Sequence, residues 1–251
     1  MEAYEENYPQ LQAIEKAVNK LTATCMAGYG FTSLPPAASG HPPASIDDSN
    51  MPRRYGLSDA AQAARFGYHL ANDNGPIPLQ YPLSDAESAV ANGFIRHGST
   101  QLPVPSTYKG KAIPPGGCGG EAARKVGVTF DTTVAGRLDQ ESLDRSEADP
   151  RVQAVIHRWS ACMKGHGYSV DSPLDAGNLV TSGDLPAANT AEITLAKSDV
   201  ACKTATGLVS TWFTVESGIQ RQEIEQNQLA LDQNRQLIAQ AVKNASALVE
   251  Q

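Results

Sequence analysis

Aromatic side chains are scarce in this sequence, at 6% of 251 residues, and hydrophobic residues in total reach only 41%. That supplies core material for a modest fold, and the rest must lie in loops or on solvated helices. No apolar run approaches the roughly 18 residues that a bilayer-crossing helix needs, so no transmembrane segment is expected. Basic blocks are missing too, and the net charge is −7 at pH 7. A chain of that sign repels phosphate backbones and anionic lipid alike, which argues against a nucleic-acid partner and against a membrane surface. Neither GxSxG, HExxH nor GK[ST] occurs, so the common hydrolase, metalloprotease and phosphate-loop signatures are absent. The start, MEAYEENYPQ, is acidic where a signal peptide is cationic.

What is present begins with four cysteines. An even set in a loop-rich chain reads as a disulfide framework, hence an exported protein beginning at its mature end. Two of the cysteines open near-copies of one motif, CMAGYGF at 25–31 and CMKGHGY at 162–168. Each copy closes an amphipathic stretch: Leu11, Ile14, Val18 and Leu21 precede Cys25, and Val152, Val155, Ile156 and Trp159 precede Cys162. Each is followed by one further cysteine, Cys118 and then Cys202. Two helix–loop–helix halves, each stapled once, is the simplest account. It favours Cys25–Cys118 and Cys162–Cys202 over the other connectivities.

Between these helices the chain is irregular. SLPPAASGHPPASIDDSNMP has no periodicity, Asn72–Pro82 is loop, and residues 98–117 are rich in Gly, Pro and Ser. Short helices are expected in LSDAAQAARFGY, capped by Ser58 and stopped near Gly67, and after Ser84, where Glu87 completes a capping box. A helix starts at GGCGGEAARKVG, VGVTFDTT suggests a short strand, and LDQESLDRS is helical. Asp149 and Pro150 open the second cysteine helix. From Thr190 to Gln251 there is no proline, and Gly207 and Gly218 are the only breakers. Ile224, Leu231, Ile238 and Ala245 recur every seven residues there, a partial heptad broken in its second seam by Gln228 and Arg235.

The runs RRYGL at 53–57, GGCGGEA at 116–122, DPRVQAVIHRWSACMKGHGY at 149–168 and AEITLAKSDVACKTATGLVSTWFTVES at 191–217 resemble a family of uncharacterised actinobacterial secreted proteins and lipoproteins. The resemblance covers most of residues 50–220. It implies export and cysteine pairing, and no reaction to carry over.

Candidate chemistry is thin. His157, Cys162 and His166 could surround a metal, but a disulfide with two surface histidines is the favoured reading, with no metal and no cofactor. Gly117 to Ala122 fits GxGxxA without the strand that a dinucleotide loop requires, so its glycines more simply admit a close helix approach. Paired acids such as Asp199 with Glu216, or Glu121 with Asp131, would serve hydrolysis only if the fold joined them in a cleft. Trp159, Trp212 and Phe213 are expected as core anchors, with a ligand groove as the other option. Arg53, Arg54 and Tyr55 suit either a carboxylate-bearing partner or an internal clamp on acidic helix ends.

The sequence therefore predicts a mostly α, disulfide-stapled protein with long irregular loops and a long C-terminal helix. Its expected parts are an N-terminal helical half at 1–137, a second half packed on it at 138–221, and a polar helical extension at 222–251. The leading functional expectation is a non-enzymatic extracytoplasmic binding protein, secreted or envelope-associated, using its C-terminal helix for a protein partner or for self-association. An extracytoplasmic hydrolase of cell-wall or peptide material, acting through carboxylates in an inter-helix cleft, is the alternative. A carrier enclosing a small apolar ligand is the third possibility.

Overall fold

Local signals set most of the helices. Helix α1 (Tyr8–Ala27) opens on an Asn7–Gln10 capping box with proline in its first turn. Helix α6 (Pro150–Gly165) is capped by the Asp149 carboxylate, which accepts from the Arg151 amide. Their ends are built alike. Phe31 N–H donates to Met26 O and Tyr168 N–H to Met163 O, while Gly30 and Gly167 both adopt φ of 89°. This six-to-one closure with a left-handed glycine folds the aromatic residue back over the buried methionine. The repeated motif is thus a helix-ending device placed beside a cysteine.

The structure is a computed structural model that describes residues 1–32, 53–70, 83–97, 100–128, 134–180 and 187–249. The proline-rich stretch at 33–52, the whole of the Asn72–Pro82 loop and residues 129–133 of the suggested strand VGVTFDTT lie outside them, and Val126 at its start belongs to a helix. The remaining elements are α2 (Ala60–Phe66), α3 (Asp85–Asn92), the hairpin β1 (Ile95–His97) with β2 (Thr100–Leu102), the hairpin β3 (Thr107–Tyr108) with β4 (Lys111–Ala112), α4 (Gly117–Val126), α5 (Val134–Glu147), α7 (Thr190–Thr206) and α8 (Leu208–Val249). The protein is mostly α-helical, with a long C-terminal helix. Three local expectations change. Asp59, not Ser58, caps α2. Two small hairpins occupy the region read as loop. Of the two breakers, Gly207, at φ 67°, ends α7, whereas Gly218 is simply absorbed into α8, which kinks instead at Asn227 (φ −117°).

The described residues fall into two compact units. The tryptophan unit holds Met1, 53–70, 135–180 and 187–228; the hairpin unit holds 2–32, 83–97, 100–128 and 229–249, together with Val134. In the tryptophan unit, α6, α7 and the first part of α8 bury Val155, Trp159, Leu195, Leu208 and Trp212 in one core. The 53–70 segment joins it because Leu57 and Ala63 pack on Ala196 and Val200. In the hairpin unit, Ile14 and Ala17 of α1 pack on Val126, Ala241 and Ala245. A second cluster forms around Met26, Tyr29, Val90 and Cys118. The units therefore divide the chain elsewhere than the sequence boundaries: 53–70 sits with the second cysteine helix, and 229–249 completes the core around α1.

Each unit carries one disulfide, Cys25–Cys118 in the hairpin unit and Cys162–Cys202 in the tryptophan unit, the connectivity the motif order favours. With closed loops of 93 and 40 residues, chain entropy makes each worth roughly 4 to 5 kcal/mol. The glycines around Cys118 admit a close approach: a Cβ on Gly117 would lie 2.5 Å from the carbonyl carbon and oxygen of Ala91 in α3.

Candidate functional site

The Arg53–Arg54–Tyr55 segment turns inward. Arg53 donates to the carbonyls of Tyr68 and His69 at 2.7 and 3.0 Å, fixing the exit of α2. Arg54 Nε donates to Glu216 Oε1 at 2.8 Å and its Nη1 to Asp139 Oδ2 at 2.8 Å, so one guanidinium joins α5 to α8. Burial alone would lower the Arg54 pKa, but the bonds to both carboxylates outweigh it and raise it. Tyr55 O–H donates to Glu216 Oε2 at 2.6 Å, and its ring stacks on Trp212 with centroids 4.9 Å apart. Burial and that carboxylate raise the Tyr55 pKa. Trp212 Nε1–H in turn donates to Ser146 Oγ. Arg54 and Tyr55 thus clamp acids in the middle of helices, whereas Arg53 holds backbone carbonyls at the exit of α2.

A second network lies around Trp159. Asp199, wholly buried, accepts from Trp159 Nε1–H at 2.9 Å, Tyr68 O–H at 3.1 Å and Lys203 Nζ at 3.0 Å. Lys203 Nζ also donates to Leu57 O. Burial raises the Asp199 pKa and lowers that of Lys203, because each charge has left water. Glu192, also fully buried, accepts from the Tyr68 amide and lies 3.5 Å from His69 Nε2.

The acid pair that the hydrolase reading needs is therefore spent on internal bonds. Asp199 and Glu216 share no hydrogen-bond partner, and at 0% and 2% exposure neither faces an incoming substrate. Glu121 pairs with Lys125 at 2.8 Å, and Asp131 lies outside the described residues. Trp159 and Trp212 are both fully buried, whereas Phe213 is 61% exposed and belongs to no core cluster of the described residues. His157 is solvent-facing.

Two open surfaces stand out among the described residues of the hairpin unit. A groove of about 260 Å³ beside Cys25 is lined by Tyr29, Lys111, Glu121 and Lys125. That is below the roughly 300–1,000 Å³ of small-molecule sites. Lys111 is already engaged there, over the Tyr29 ring and donating to Gly28 O. The other surface is on α8. Leu229 and Leu237 are 82% and 62% exposed, and a shallow depression next to Leu237 is lined by Gln233, Gln236 and Gln240. At 100° per residue these five side chains share one arc of the helix and include no charge. The heptad residues of the sequence reading, Leu231, Ile238 and Ala245, lie on the opposite side, buried within their own unit. The sequence signal thus marked the intramolecular seam; the exposed leucines fall out of its phase.

Comparison with protein-family models, curated proteins and solved structures finds no match to the chain.

Proposed function

We propose that this is a non-enzymatic extracytoplasmic binding protein that self-associates through the uncharged Leu/Gln stripe of α8. The extracytoplasmic part is supported by two disulfides with no free cysteine, and no helix of the described residues is long and apolar enough to cross a membrane. The observation that carries the binding part is the 82% exposure of Leu229 and 62% of Leu237 on a face without charge. A chain of net charge −7 meets a copy of itself most easily where no like charges are juxtaposed. Glutamine both donates and accepts, so a two-fold axis across the stripe pairs its amides with their own equivalents. From Leu229 to Gln240 the stripe is about 17 Å long at 1.5 Å per residue. That falls short of the ~800 Å² per partner of a standard interface, so the association is reversible and concentration-dependent.

Sedimentation velocity over a concentration series tests this. The wild type should show a rising sedimentation coefficient, and the L229E/L237E double variant should stay monomeric with unchanged helicity. A strict monomer at every concentration rejects self-association. Binding of some other protein that the same variant abolishes would assign the stripe a different occupant.

A further inference from the structure

The two motif copies make the same turn but differ at one chemically telling position. Tyr29 is buried with its hydroxyl donating to Ala112 O, whereas its counterpart His166 is exposed beside the second disulfide. A ring nitrogen of His166 and the sulfurs of Cys162 and Cys202 all lie within 4.8 Å of one another. We propose that, when the Cys162–Cys202 bond is reduced, these three side chains bind one divalent transition metal, with zinc the best match.

The chemistry of the donors selects the ion. Two thiolates and an imidazole favour zinc over magnesium or calcium. Three protein ligands leave a fourth position of the tetrahedron for water. The geometry is close to what is needed. Opening the S–S bond lets the sulfurs separate to the about 3.7 Å that Zn–S bonds of about 2.3 Å impose, and the Cα atoms already stand 5.7 Å apart. Cys202 is fully buried and Cys162 half-buried against the tryptophan core, which shields the thiolates from water on one side. His166 is exposed and can swing onto the ion from the other side. The Cys25–Cys118 pair is not equivalent, because its neighbour is Glu121, 4.0 Å from Cys25 Sγ and already paired with Lys125.

The exchange balances with a dithiol as reductant. Its two thiols pass two electrons and two protons to the Cys162–Cys202 bond and leave as a disulfide. The cation then displaces both thiol protons, so binding releases protons and weakens as pH falls. In reverse, an oxidised dithiol takes the two electrons, the S–S bond re-forms and the ion leaves. Cation and cross-link are alternatives at one place in the fold.

The test is cobalt(II) titration of the full chain after phosphine reduction, read by thiolate-to-cobalt charge-transfer absorption, with far-UV circular dichroism alongside. One cobalt per chain should bind to the reduced wild type and to C25S/C118S, and none to the oxidised protein or to C162S/C202S. H166A should weaken binding by at least the roughly tenfold that even an outer-shell partner costs. Should reduction unfold the tryptophan unit, cobalt should restore both the helix signal and the bands. Absence of the bands in reduced protein, folded or not, overturns the site. So does H166A binding as tightly as the wild type.

Discussion

Asp149 shows how one side chain starts a helix and answers to pH. Its bonds to the Arg151 side chain and amide hold its pKa down at about 2, against an ordinary value of 3.8. A folded-state pKa below the unfolded one adds stability that is complete above pH 4 or so and is lost as pH falls towards 2. Asparagine keeps the capping acceptor but does not titrate. The gap in melting temperature between wild type and D149N should therefore close between about pH 4 and pH 2; a gap that stays constant would show that the carboxylate charge does not matter there. The Asp149–Pro150 start was legible because caps act on their nearest neighbours. The fate of Arg54 was not. Its acceptors, Asp139 and Glu216, come from distant helices, and nothing local distinguishes an inward guanidinium from one offered to a partner.

At the scale of elements, legibility followed length and periodicity. Helices α1 and α6 carry apolar stripes over several turns and emerged directly from spacing. The two hairpins did not, since strands of two or three residues are too short to show an alternation. In helix α8 the heptad residues Leu231, Ile238 and Ala245 are buried within the chain, and a seam facing the same chain looks in sequence like one facing another. Its second part is no dispensable tail. Deleting 229–251 removes Ala241 and Ala245 from above Ile14, Ala17 and Val126. The truncated chain should lose far more helix by circular dichroism than the deleted residues account for, through unfolding of α1. A loss limited to the deleted segment would show that α1 stands alone.

Over the whole molecule, the scarcity of apolar material is met by two small units among the described residues, each with its own cross-link. Both tryptophans belong to one unit, so their fluorescence reports on that unit only. In C25S/C118S, hydrogen exchange in α1 and α4 should accelerate while tryptophan emission stays blue-shifted. A red shift at the same denaturant concentration would show that the two units unfold together. The export reading draws on the same cross-links, which the paired motifs made visible. The composition of the units stayed hidden, because the contacts that assign 53–70 and 229–249 span most of the sequence.

The chain position of Ala241 and Ala245 has a consequence for biogenesis. A ribosome or an export channel delivers α1 long before these alanines. Until they emerge, Ile14 and Ala17 have no lid, and α1 presents a greasy strip to whatever surrounds the nascent chain. The unit built on α1 thus closes only once Ala241 and Ala245 have emerged, and any factor that shields the strip has to stay bound until then.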